Sequence, residues 1–132
     1  MNADTAPSKA YPVLAYIGLG LMGGPMTRHL RSKGYPIRGH DISAVACSAA
    51  AAWGVQVCAS ATEAAAGADL VILNLPTVYA VEDVMFGGHA GPADAAGTGL
   101  VRHLKPGQTV VDFSTIPPER GREFIARLKA EA

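Results

Sequence analysis

The stretch Val13-Leu14-Ala15-Tyr16-Ile17-Gly18-Leu19-Gly20-Leu21-Met22-Gly23 decides how the rest of the chain is read. A short apolar run predicts a strand. Three glycines follow it in the spacing G-x-G-x-x-G, and a helical pattern then runs from about Met22 to Lys33. Each glycine has a steric task in such an arrangement. Gly18 permits the tight turn off the strand, Gly20 lets the backbone approach a pyrophosphate, and Gly23 lets the helix pack closely on the strand. The helix N-terminus behind the turn offers unpaired N–H groups and its positive dipole end to phosphates.

Glycine spacing alone is weak in a chain with 15 glycines, so the flanks carry the decision. Gly34 stands where a helix C-cap is wanted, and Pro36-Ile37-Arg38-Gly39-His40 reads as a second short strand. Asp41 closes that strand 18 positions after Gly23, near the offset of about 20 residues expected for an acid that binds ribose hydroxyls. The alternative for Asp41 is a solvated turn or capping acid. Strand, glycine turn, helix, strand and acid occur in the order that a dinucleotide site requires.

At 132 residues the chain is read as one domain, with residues 1–11 as a flexible leader and 12–132 as the folded body. A formal net charge of zero gives nucleic acid no electrostatic footprint. No apolar run approaches the roughly 20 residues that span a bilayer, and no signal-peptide pattern opens the chain. Cys47 and Cys58 have no metal or redox spacing, and read as small apolar residues in a reducing cytoplasm. His29, His40, His89 and His103 show no metal spacing either, and Met22 and Met26 read as packing residues.

The remaining chain repeats a β-α pattern. Ser43 can cap an alanine-rich helix over 44–52, which Trp53-Gly54 ends, and Val55–Cys58 reads as a third strand. Ser60-Ala61-Thr62-Glu63 has capping-box form and starts a helix that ends near Gly67. Asp69–Leu75 is the longest apolar run, as suits a central strand covered on both faces. A helix follows over 78–86, then a glycine-rich surface loop over 87–99 and a helical turn at 100–104. A fifth strand over 109–113 and a helix with its body over 119–129 close the chain. Pro76-Thr77 reads either as a strand stop with a cap or as a ligand contact, and Ser114-Thr115 has the same two readings. The fold class is α/β, a doubly wound parallel sheet of about five strands.

Three motifs in order carry a family likeness. They are Ile17–Met26, Asn74-Leu75-Pro76-Thr77, and Val111-Asp112-Phe113-Ser114-Thr115-Ile116-Pro117-Pro118. Together they resemble the β-hydroxyacid dehydrogenases, the family of 3-hydroxyisobutyrate dehydrogenase and tartronate semialdehyde reductase. The resemblance implies NAD as cofactor and a small 3-hydroxy acid as substrate. It places Gly18, Leu19, Gly20, Leu21, Met22 and Gly23 at the pyrophosphate and Asp41 at the adenosine ribose, with Ile42 beside it. Leu75-Pro76 would lie on the nicotinamide side and Thr115 near the nicotinamide ribose. NADP-preferring relatives usually carry Asn-Arg at the corner that here reads His40-Asp41-Ile42, and a carboxylate repels a 2′-phosphate. NAD(H) is therefore expected.

The family's substrate segment and catalytic lysine have no counterpart here: Lys9, Lys33, Lys105 and Lys129 match neither. The expectation is an N-terminal cofactor domain of such an enzyme, truncated and without turnover by itself. A stand-alone, non-catalytic NAD-binding module is the alternative. Truncation would expose an apolar face and a sheet edge, so self-association into a homo-oligomer is also expected.

Overall fold

The computed structural model describes residues 11–87 and 99–131. Leu14–Ile17 forms β1, buried at all four positions, as its unbroken apolar sequence requires of a strand covered on both faces. Ile37–His40 (β2) and Leu70–Leu73 (β4) flank it in parallel, with Leu14 opposite both Ile37 and Leu70. Gln56–Val57 (β3) and Thr109–Asp112 (β5) are the edges, giving the order β3-β2-β1-β4-β5. The chain begins in the centre, winds outward one way and then crosses back to wind the other way.

Helices cover both faces. Gly23–Ser32 (α1) and Ala44–Ala52 (α2) lie over Leu14, Tyr16, Ile37 and Ile72. Ala61–Ala66 (α3), Val78–Phe86 (α4) and Pro118–Glu131 (α5) lie over Ala15, Ile17, Val71 and Leu73. Alternate residues of β1 thus feed two separate cores, each buried large aliphatic side chain contributing roughly 1.5–3 kcal/mol. A 3-10 turn, Leu100–Arg102, adds Leu100 and Val101 to the second core.

Local signals place several helix ends. Ser43 Oγ accepts from Ala46 N at 3.2 Å, and Thr77 Oγ1 accepts from Ala80 N at 3.1 Å. Gly34 sits at φ +95° beyond α1, a backbone that other residues rarely adopt. Ser60 Oγ accepts from Glu63 N, but Glu63 Oε2 returns to Ala59 N at 2.9 Å, one residue before the expected partner. The strands are shorter than their apolar runs, because pairing rather than composition ends them. Asp69 stands just outside β4 and its Oδ2 accepts from Val13 N at 2.8 Å.

The last motif is corrected. Ser114 does not cap α5, which begins four residues later at Pro118. Its hydroxyl instead accepts the Leu75 N–H at 2.8 Å, tying the end of β5 to the end of β4. Met22 is not a packing residue; it is 63% exposed at the mouth of the glycine turn. The leader expected over residues 1–11 falls, but for Tyr11, outside the described residues, and so does most of the loop expected over 87–99. No described helix is long and apolar enough to cross a membrane.

Candidate functional site

The three glycines differ in what surrounds them. A Cβ at Gly18, which has φ +103°, would collide with the Asn74 carbonyl, and one at Gly23 would collide with the Gly18 carbonyl. Those two positions are closed by the protein itself. A Cβ at Gly20 would meet nothing within 4 Å. Gly20 therefore lies on an open shelf, and its lack of a side chain has no packing explanation among the described residues.

The shelf is the entrance of α1. Gly24 N donates to Gly20 O at 2.8 Å, closing the first turn, while the N-cap residue Met22 makes no side-chain cap and no acid stands in that turn. No side chain of its own first turn thus meets the positive end of the helix dipole. Leu21 is 91% exposed beside it. The arrangement suits an anionic group lying against the backbone.

Asp41 holds the shelf from the side. Its Oδ2 accepts from Leu19 N and its Oδ1 from Ser43 N, both at 2.8 Å. Gly18 N donates to His40 O at 3.0 Å, so the β1 turn and the β2 end are bound twice. The carboxylate is half-buried and fixed, and each oxygen retains a lone pair for a further donor. Ile42, next to it, is almost wholly exposed.

Below the shelf is a polar cluster that the sequence reading missed. Tyr16 is fully buried; its hydroxyl donates to Met26 Sδ at 3.2 Å and accepts from Asn74 Nδ2 at 3.1 Å. Asn74 in turn sets the carbonyl that faces Gly18. A polar residue ending the apolar run Leu70–Leu73 was the available signal. Burial raises the Tyr16 pKa above its ordinary 10.0, against a smaller opposing effect of the Asn74 hydrogen bond. A phenol whose folded pKa is raised stabilises the fold fully below its unfolded value, and that stability fades as pH rises through the folded value. Urea melts should therefore give an unfolding free energy that declines above about pH 10. Tyr16→Phe should abolish the part of the decline due to this phenol, while costing about 0.5–1.5 kcal/mol throughout from the lost bond to Asn74, whose Nδ2 keeps its contact with Met26 Sδ. An unchanged pH slope in the variant would refute the assignment.

Leu75, Pro76, Ser114 and Thr115 lie across the sheet from Asp41, at the carboxyl ends of β4 and β5. Thr77 caps α4, so the capping reading applies to that residue. Pro76 and Thr115 are exposed. All the sequence-derived positions thus gather along one edge of the sheet, around the place where its winding reverses between β1 and β4. Among the described residues no three His, Cys, Asp or Glu side chains gather to hold a metal.

Residues 13–132 match the family described as the NAD binding domain of 6-phosphogluconate dehydrogenase. The chain belongs to that family. Human mitochondrial 3-hydroxyisobutyrate dehydrogenase is 34% identical over 117 residues, which is 88% of this chain and 32% of that protein. A Pseudomonas aeruginosa NAD-dependent L-serine dehydrogenase is 35% identical over 86% of this chain and 35% of its own. The solved structure of Mycobacterium tuberculosis 3-hydroxyisobutyrate dehydrogenase with L-serine superposes with a TM-score of 0.77 at 36% identity, covering 92% of this chain and 38% of that one. The chain spans about a third of the length of the curated relatives it matches. It is an NAD-binding domain, and NAD is the cofactor of the family.

Proposed function

We propose that residues 12–132 form the cofactor half of an oxidoreductase that passes a hydride between NAD(H) and a small 3-hydroxy acid or its semialdehyde. The open shelf at Gly20, between two glycines closed by the protein, is the observation that carries this reading. Gly18, Leu19, Gly20, Leu21, Met22 and Gly23 seat the pyrophosphate, with the uncapped start of α1 facing it. Asp41 takes the adenosine ribose hydroxyls and Ile42 lies beside the adenine. Leu75-Pro76 borders the nicotinamide, and Thr115 its ribose. The cofactor supplies the hydride chemistry; these residues bind and orient it.

Proton transfer needs a further group. Among the described residues Lys33 and Lys105 stand at the amino end of the sheet, after α1 and before β5, and Lys129 lies in the last turn of α5. None borders the nicotinamide side, which favours a domain that binds NAD without turning over substrate by itself. We place the protein in a reducing cytoplasm, and propose that it works as a homo-oligomer.

Calorimetric titration of the 132-residue chain with NADH and NADPH tests the reading. Tighter binding of NADH is expected. Asp41→Ala should remove about 1.5–3 kcal/mol of charge-assisted hydrogen bonding, a 10- to 100-fold loss for NADH, and narrow the gap to NADPH. Asp41→Asn, which keeps one acceptor for Leu19 N or Ser43 N, separates the charge effect from loosening of the turn. Equal losses for both cofactors, with preference unchanged, would remove Asp41 from the ribose site.

A further inference from the structure

A second recess lies at the opposite edge of the sheet from Gly20. Val13, Pro36, Ile37 and Gln56, at the amino ends of three strands, line a pocket of about 290 Å³ together with Arg31 and Arg38. Both guanidinium groups are held by backbone carbonyls rather than by acids. Arg31 Nη1 donates to Tyr35 O at 2.9 Å. Arg38 Nε donates to Ala64 O at 3.0 Å and its Nη2 to Glu63 O at 2.8 Å. Two glycines make room for them: a Cβ at Gly54 would lie 2.9 Å from Arg31 Nε, and one at Gly67 would lie 3.2 Å from Arg38 Cζ.

What remains unused is an anion-binding donor set. Arg31 Nε is buried and has no hydrogen-bond partner among the described residues. With Nη2 it forms the side of the guanidinium that binds carboxylate or phosphate through two parallel hydrogen bonds. Arg38 Nη1 makes no hydrogen bond among the described residues. Neither arginine has a carboxylate within ion-pair distance among the described residues. The nearby acids bind backbone N–H groups rather than either arginine, Asp69 at Val13 on the wall of the recess and Glu63 at Ala59. Two neighbouring cations in one recess repel each other unless an anion lies between them. We propose that this recess binds an oxyanion, the phosphate or carboxylate group of a small molecule, at a site separate from the cofactor shelf.

The test is thermal unfolding of the 132-residue chain in sodium phosphate, in sodium acetate and in sodium chloride at matched ionic strength. Each series is run in the parent and in Gly20→Val, which keeps phosphate off the cofactor shelf. A saturable rise in melting temperature with phosphate or acetate beyond that in chloride, retained in Gly20→Val, is expected. Whichever anion acts identifies the group. Arg31→Gln should weaken the apparent affinity at least tenfold, and Arg31→Lys, which keeps the charge without the paired donors, should weaken it nearly as much. Phosphorus NMR line broadening of the phosphate reads binding directly if a variant melts too early to compare. No effect beyond chloride, or an Arg31→Lys response equal to the parent's, would overturn the proposal.

Discussion

Gly20→Val is expected to abolish measurable NADH binding while leaving the fold intact. Chain neighbours apart, no atom of the described residues lies within 4 Å of the added Cβ, and Gly20 is not among the glycines at positive φ, so a β-carbon is accepted there without strain. The Gly24 N to Gly20 O bond that closes the first turn of α1 involves only backbone and persists. The new side chain would fill the space that the pyrophosphate needs in order to reach the N–H groups behind it. Losing two charge-assisted bonds at about 1.5–3 kcal/mol each is a drop of about 10²- to 10⁴-fold in affinity. The melting temperature without cofactor should stay within a degree or two of the parent's, since surface substitutions of this kind cost about 0.5 kcal/mol or less. Binding as tight as the parent's, with the fold preserved, would mean that the dinucleotide does not cross this turn.

The neighbouring substitution should fail in the opposite way. Gly23→Ala adds one methyl group, but that methyl collides with the Gly18 carbonyl and comes within 3.1 Å of the Tyr16 ring. Neither neighbour can give way easily. Gly18 is held by its bond to His40 O, and Tyr16 is fully buried with its hydroxyl engaged. Relief must come from α1, which carries Met26 and Leu30 into one of the two cores. Overpacking with a backbone shift of this kind costs about 3 kcal/mol or more, a large share of the 5–15 kcal/mol that holds a typical domain together. Urea unfolding measures it directly, and a loss under about 1 kcal/mol would show that α1 is not locked against β1 as described. Gly20 and Gly23 stand three residues apart in one motif, yet the first substitution tests binding and the second tests folding.

The helices were easier to read than the strands because their ends are local. Ser43 and Thr77 cap within three residues of themselves, and α2 and α4 run where the sequence places them. Strand ends are set by partners far along the chain, so Asp69, Leu75 and Phe113 read as strand but lie just outside β4 and β5. Ser114 shows the same limit at the site. The Ser-Thr-Ile-Pro-Pro sequence satisfies the local rules for a helix start, whereas its hydroxyl serves Leu75, 39 positions earlier. Asp41 was singled out by its offset, whereas its hold on the Leu19 and Ser43 N–H groups follows only from the folded turn. The arginine recess was not legible at all, because Arg31 and Arg38 meet only when α1, β2 and α3 are assembled.

Trp53 gives the molecule an optical property. It is the chain's only tryptophan, and its indole Nε1 donates to Thr27 Oγ1 at 3.1 Å. That hydroxyl donates in turn to Gly24 O at 2.9 Å, inside the first turn of the helix that borders the glycine shelf. Excited near 295 nm, the protein emits from this one indole, two hydrogen bonds from the backbone on which the phosphates are proposed to rest. Shifts in that emission follow the loop in the unlabelled, unsubstituted chain, and Thr27→Val, which cuts the link without touching the shelf, would mute the signal and leave binding unchanged.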